Sequence, residues 1–177
     1  MKKKTVIIAV LAAVFTFGTA ANLYAEQNKP VEMTAETIDY DSTTGMITAK
    51  GGVRMTQDAA VLTGASAEYN IKTKETYITG GVKVVKEDMT MTSAEVKGYD
   101  NNHFVATGDA VLVKGQNTLT GPLIDYYADK QYALVPQSAH LSMPDGTMTA
   151  NRIEAFISEN RAVATGDVHI VSDARRL

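Results

Sequence analysis

Three histidines, at positions 103, 140 and 169, are the side chains of this sequence best suited to general acid–base work or to zinc binding. None of them sits in a metal-ligand spacing. His140 and His169 are separated by about 29 residues, a length typical of structural repeats rather than of ligand pairs. Each alternates with an apolar neighbour, Leu141 and Ile170, so both read as solvated face residues. Serines and acids are scattered over turn-like stretches with no base beside them, which leaves no nucleophile to activate. The chain has no cysteine, so thiolate chemistry and disulfides are excluded. The expectation is a protein that is not an enzyme, with no catalytic residues, no metal site and no cofactor.

The interval between those histidines belongs to the whole chain. A pair made of Met or Leu followed by Thr recurs at Met33, Leu62, Met91, Leu119 and Met148, in nearly equal steps of the same length. Five positions further on stand Ile38, Ala67, Val96, Ile124 and Ile153, all apolar. The second half of a copy carries a glycine motif, at Gly51-Gly52, Gly80-Gly81, Gly108-Asp109 and Gly166-Asp167. The fourth copy has Leu134-Val135-Pro136-Gln137 there instead, as one inserted residue would produce. Repeats of this length build an architecture by stacking one unit many times.

The copies alternate like strands, as in Val82-Lys83-Val84 and Val53-Arg54-Met55, and Thr, Val, Ile and Tyr are abundant. Polar turn-like segments separate the halves, at 41–45, 70–75, 100–103, 128–131 and 158–161. Each copy is therefore two extended limbs joined by a hairpin. Each limb must also bend, because the apolar residues change parity within it, and a one-residue slip turns every side chain to the other face. Glycine inside the strand pattern marks the bend in the second limb, and Gly64, Pro122 and Asn151 lie near it in the first. The fold class expected is all-β, with ten bent limbs making two facing antiparallel sheets out of about five such repeats.

Limbs about 4.8 Å apart would give a trough on the order of 50 Å long. Its apolar lining is expected from Ile38, Tyr40, Val53, Met55, Val82, Val84 and Met91. It continues through Val96, Phe104, Leu112, Tyr126 and Leu134. Apolar alternation of this kind ordinarily fills a sandwich core. Against that, many inward positions are Met, Ala or Thr, which pack adaptably, and there is no tryptophan and only four phenylalanines. A lipid would gain from such a trough, since each buried methylene is worth about 0.8 kcal/mol. The first and last strands, with Val31 and Met33 at one end and Val168 and Ile170 at the other, are expected to be unpaired edges open to a partner strand. A head-to-tail contact between them would extend the trough rather than close it. A β-solenoid with one coil per repeat is the rival. It would stack His140 and His169 about 4.8 Å apart, whereas bent hairpins leave another limb between them and about 10 Å of separation.

The chain opens with Lys2, Lys3 and Lys4, an apolar run from Val6 to Phe17, and small residues after it. That order is a secretory signal, with residues 1–25 expected to be removed after Ala25; Ala20 and Ala21 also satisfy the small-residue requirement. Retained, the same segment would be a membrane anchor, but it is shorter than the ~20 apolar residues a spanning helix needs. Removal takes away three of the 17 Lys+Arg and none of the 20 Asp+Glu, leaving 14 against 20 and a net charge of −6. A chain this acidic is no nucleic-acid binder.

Residues 30–36 (Pro-Val-Glu-Met-Thr-Ala-Glu), Ile38-Asp39-Tyr40-Asp41 and the stretch from Gly45 to Val53 resemble the OstA-like, LptA-type family of periplasmic lipopolysaccharide-transport proteins. The likeness runs through the later copies and covers residues 26–177. It implies an open twisted β-jellyroll that holds lipopolysaccharide acyl chains and joins related domains end to end. The partners it implies are an LptC-like protein at the inner membrane, an LptD-like protein at the outer membrane, and further copies of the chain. It also places lipid contacts on Val31 and Met33, and an aliphatic residue, Val84, where the family has an inward aromatic. An LptC-like, membrane-anchored role is the alternative within the same resemblance.

Overall fold

The computed structural model describes residues 4–8, 31–57, 59–99 and 102–172, with backbone alone for 4–8, 31 and 57. The remainder of the expected signal segment, its cleavage site and the charged tail from Asp173 to Arg176 lie outside the described residues. All regular structure among the described residues is β-strand, apart from one 3-10 turn at Ile157–Glu159. None of it is a helix long and apolar enough to cross a membrane.

Among the described residues fifteen strands run in chain order: β1 (Lys4–Ile8), β2 (Val31–Ala35), β3 (Thr37–Asp41), β4 (Met46–Gln57), β5 (Ala60–Asn70), β6 (Thr76–Lys86), β7 (Met89–Gly98) and β8 (His103–Lys114). They continue with β9 (Asn117–Tyr127), β10 (Tyr132–Val135), β11 (Ala139–Met143), β12 (Gly146–Ala150), β13 (Arg152–Phe156), β14 (Arg161–Thr165) and β15 (His169–Ser172). Every pairing is antiparallel, so the solenoid arrangement is excluded. Strands β4 to β9 are the long limbs, and each is shared by two sheets. Their ladders shift register midway, between Lys50 and Val53, Thr63 and Ser66, Thr79 and Val82, Thr92 and Glu95, and Thr107 and Ala110. At the ends of the molecule the limbs break in two at the same place. Thus β2 and β3, β10 and β11, β12 and β13, and β14 and β15 go separately to the two sheets.

One sheet (sheet A) runs from β3 through the near halves of β4 to β9, then β10 and β13, to β14. The other (sheet B) runs from β1 and β2 through the far halves, then β11 and β12, to β15. They meet along the line of bends and face each other across the apolar residues, an open β-jellyroll.

The bend is built by backbone that only glycine adopts freely. Gly80 has φ +84° and Gly81 φ +74°. A Cβ on Gly80 would lie 2.2 Å from the Cβ of Ala65 on the neighbouring limb. The second bend position tolerates a side chain, and Asp109 (φ +49°) and Asp167 (φ +47°) take it in their copies. Ser138 has φ +49° at the corresponding place in the fourth copy, one full period from both Asp109 and Asp167, so no residue is inserted there. This corrects the parity expected of that copy. Val135, not Leu134, corresponds to Ala106, and it is Ala133 and Val135 that are buried, while Leu134 is half-buried on the outer face opposite Asp125 and Glu154.

Candidate functional site

The cross-strand registers arrange the interior into rows. On sheet B one row runs Met33, Met55, Leu62, Val84, Met91, Leu112, Leu119, Leu141, Met148, Ile170, each residue directly opposite the next. On sheet A the row nearest the hairpin turns runs Tyr40, Ile47, Tyr69, Thr76, Gly98, Phe104, Tyr126, Ala133, Ala155, Ala162. A second row, nearer the bends, includes Ile38, Ala49, Ala67, Ile78, Val96, Ala106 and Ile124. Directly opposed side chains on one sheet face lie about 5 Å apart, so each row is a continuous strip of inward residues, apolar but for Thr76 and the tyrosine hydroxyls.

Of the residues expected to line the trough, Met33, Val53, Met55, Val82, Val84, Met91, Val96, Phe104, Leu112 and Tyr126 are buried between the sheets. Ile38 is half-buried and packs against them. Tyr40 keeps its place in the row but sits on the edge strand β3 and is 53 % exposed. Leu134 faces outward. The side chain of Val31 lies outside the described residues.

The two ends are bounded differently. Strand β2 is not an edge in the described chain, because β1 pairs with it in full register from Lys4 opposite Ala35 to Ile8 opposite Val31. Thr5, Val6, Ile7 and Ile8 are strong strand formers, and the unpaired groups of β2 offer them a ladder. At the other end, among the described residues, β15 pairs with β12 alone and is an edge, as is β14 of sheet A. Val168 precedes β15 rather than belonging to it, whereas Ile170 closes the sheet B row at 56 % exposure, against 1 % for Met33.

In the middle of the interior the residues of these rows are buried. Near the β14–β15 end a cavity of about 110 Å³ opens between the sheets. Leu112, Leu119, Leu141 and Met143 of sheet B face Ala155 and Ala162 of sheet A and Ile157 of the 3-10 turn across it, and Lys114, Asn117, Asn160 and Arg161 form the rim. The rim residues come from hairpin turns of both sheets, so the two rows of turns face each other there as a mouth. Met143 and Ile157 fall outside the repeat pattern; the consecutive apolar pair Phe156-Ile157 beside a turn is the signal that marks this place. The interior rows hold no group that titrates near neutrality: burial pushes the Tyr126 hydroxyl up to about 12 and raises that of Tyr69.

The outer face of sheet A carries the polar chemistry. His103 stacks between Tyr99 and Tyr127, with ring centroids 5.0 and 4.4 Å away, and its Nε2 lies 2.7 Å from Asp125. The row of rings continues through Tyr132 to Phe156 in tilted contacts, and the Arg161 guanidinium lies 3.9 Å over the Phe156 ring. Tyr132 donates to Glu154 at 2.6 Å, which with Arg152 holds that carboxyl below its usual range. These are cross-strand pairs that tie β7, β8, β9, β10, β13 and β14 together. On sheet B, His140 and His169 are both opposite Thr149, one on each side, so a whole strand separates them.

No curated protein sequence matches the chain. Among solved structures, it is similar to the crystal structure of LptH from Pseudomonas aeruginosa, described as the LptA-homologous periplasmic component of the lipopolysaccharide transport device. The identity is 13 %, 81 % of this chain and 94 % of that one are covered, and the TM-score is 0.37. A model of the OstA-like protein family matches residues 12–104, more than half of the sequence. The chain belongs to the OstA-like protein family.

Proposed function

We propose that this protein is a periplasmic lipid carrier that holds the acyl chains of lipopolysaccharide between its sheets and passes them toward the outer membrane. In this reading it works through head-to-tail contacts with further copies, with an LptC-like partner at the inner membrane and with an LptD-like partner at the outer one. It moves its cargo without altering it. The observation that carries the reading is the pair of largely apolar strips that run the length of the molecule, the sheet A strip uncovered at Tyr40 on β3 and the sheet B strip uncovered at Ile170 on β15. Membership of the OstA-like family supports it.

A cavity of about 110 Å³ is smaller than the roughly 300–1,000 Å³ of sites that enclose a drug-sized ligand. Cargo therefore enters by parting the sheets at the mouth while the bends act as the hinge line. Parting them uncovers methyl and methylene groups, and acyl chains cover the same groups again, so the exchange is near balance in hydrophobic terms. The rows contain the adaptable side chains such an exchange needs, Met33, Met55, Met91 and Met148 among them.

A photo-crosslinking residue at Val84, buried on the inner face, should capture lipopolysaccharide in cells, and one at Lys83, exposed on the outer face, should not. Capture at position 83 without capture at 84 would sink the carrier reading.

A further inference from the structure

The hydroxyl of Tyr69 is buried between the sheets with no hydrogen-bond partner among the described residues, on a side chain that is 1 % exposed. A buried hydroxyl left unpaired costs free energy that a phenylalanine at the same place would not. The fold accepts a plain ring in this row, since Phe104 occupies it three positions further along. We propose that Tyr69 is a hydrogen-bond donor to the carbonyl that links an acyl chain to its headgroup, so that the groove selects ester- or amide-linked lipids. This deepens the lipid-carrier reading and rests on it.

The position of Tyr69 fits that task. It belongs to the sheet A row nearest the hairpin turns, the long side of the molecule on which the mouth opens further along, whereas Ala67 and Ile78 lie nearer the bends. An amphiphile lying in this trough puts its hydrocarbon toward the bends and its headgroup at the mouth. Its linking carbonyls then fall at the level of the tyrosine row. Burial raises the Tyr69 pKa, so the group remains a neutral donor. Tyr40 stands two strands away in the same row and Tyr126 four strands away, about 10 and 20 Å along the trough. Hydroxyls thus recur along the turn side of the trough, while the far end of the row carries Ala155 and Ala162, which line the cavity and leave space for the chains.

The full chain can be titrated calorimetrically with diheptanoyl phosphatidylcholine and with its diether analogue, which lacks the carbonyls, both as monomers below their micelle concentrations. The wild type should bind the ester about five- to tenfold more tightly than the ether, the worth of one hydrogen bond. Tyr69→Phe should weaken the ester alone to the level of the ether, and its unliganded melting temperature should be equal or higher, because an unpaired hydroxyl has gone. Tyr77→Phe, on the outer face where its hydroxyl donates to Glu95 at 2.5 Å, should leave both affinities unchanged. Equal weakening of ester and ether in Tyr69→Phe, or retention of the ester preference, would overturn the assignment. Equal affinity of the wild type for both lipids would overturn it too while the carrier reading stands. Binding of neither would remove both.

Discussion

At the level of single residues, the fold depends most on which side chain is missing. Gly80 combines a left-handed φ with an approach of 2.2 Å between an added methyl and Ala65, so Gly80→Ala meets both penalties at once. Left-handed backbone costs a residue other than glycine about 1–2 kcal/mol, and overpacking typically adds about 1–3 kcal/mol. Urea unfolding should therefore show a loss of roughly 2–5 kcal/mol. Gly81→Asn is the contrast: nothing lies within 4 Å of the added carbon, asparagine tolerates the conformation, and the cost should stay within about 1 kcal/mol. Equal losses in the two variants would refute the role given to the close approach. The same logic explains why Asp109 and Asp167 stand at the second bend position and no side chain stands at the first position in those copies.

At the level of strands, the repeat period makes the limbs, turns and most bends legible from the sequence alone. Glycine and polar clusters are punctuation that local sterics decode. Leu134 shows where that reading stops. Pro136-Gln137-Ser138 makes a bend with one left-handed residue instead of two, and without the glycine mark the alternation reads one residue off. The breaking of the outer limbs into β10 and β11, or β12 and β13, is illegible for a similar reason. It is decided by how the two sheets are arranged, which is a tertiary matter. The antiparallel register itself can be checked with paired cysteines. His140 and Thr149 are direct cross-strand partners, so H140C/T149C should oxidise readily to a disulfide. His140 and His169 flank Thr149 from opposite sides, about 10 Å apart, beyond the ~7 Å limit between Cα atoms for a bridge. Ready formation of a disulfide in H140C/H169C would contradict the order β11, β12, β15.

At the level of the whole molecule, the question is what the ends do. Sheet A ends on β3 and β14, and sheet B on β1 and β15, so each end of the jellyroll presents two strand edges side by side. An exposed edge with Ile170 and Val171 uncovered on β15 and Val163 on β14 is a template for another chain. At the opposite end β1 already occupies the place on β2 that such a chain would take. A second strand cannot pair where the first one does, so a chain that begins at Glu26 has a free acceptor edge on β2 and the full chain does not. Sedimentation velocity at matched micromolar concentrations should show the shortened chain forming elongated, concentration-dependent oligomers and the full chain associating less. Ile170→Lys in the shortened chain should shift it toward monomer by placing a charge on the row that would have to continue into the next copy. Because the site is exposed, that substitution should change unfolding stability by no more than about 0.5 kcal/mol, which separates loss of association from loss of fold. Association that is indifferent both to residues 1–25 and to Ile170→Lys would mean that these edges are not where copies meet, and that the rows of the interior end at the surface of a single molecule.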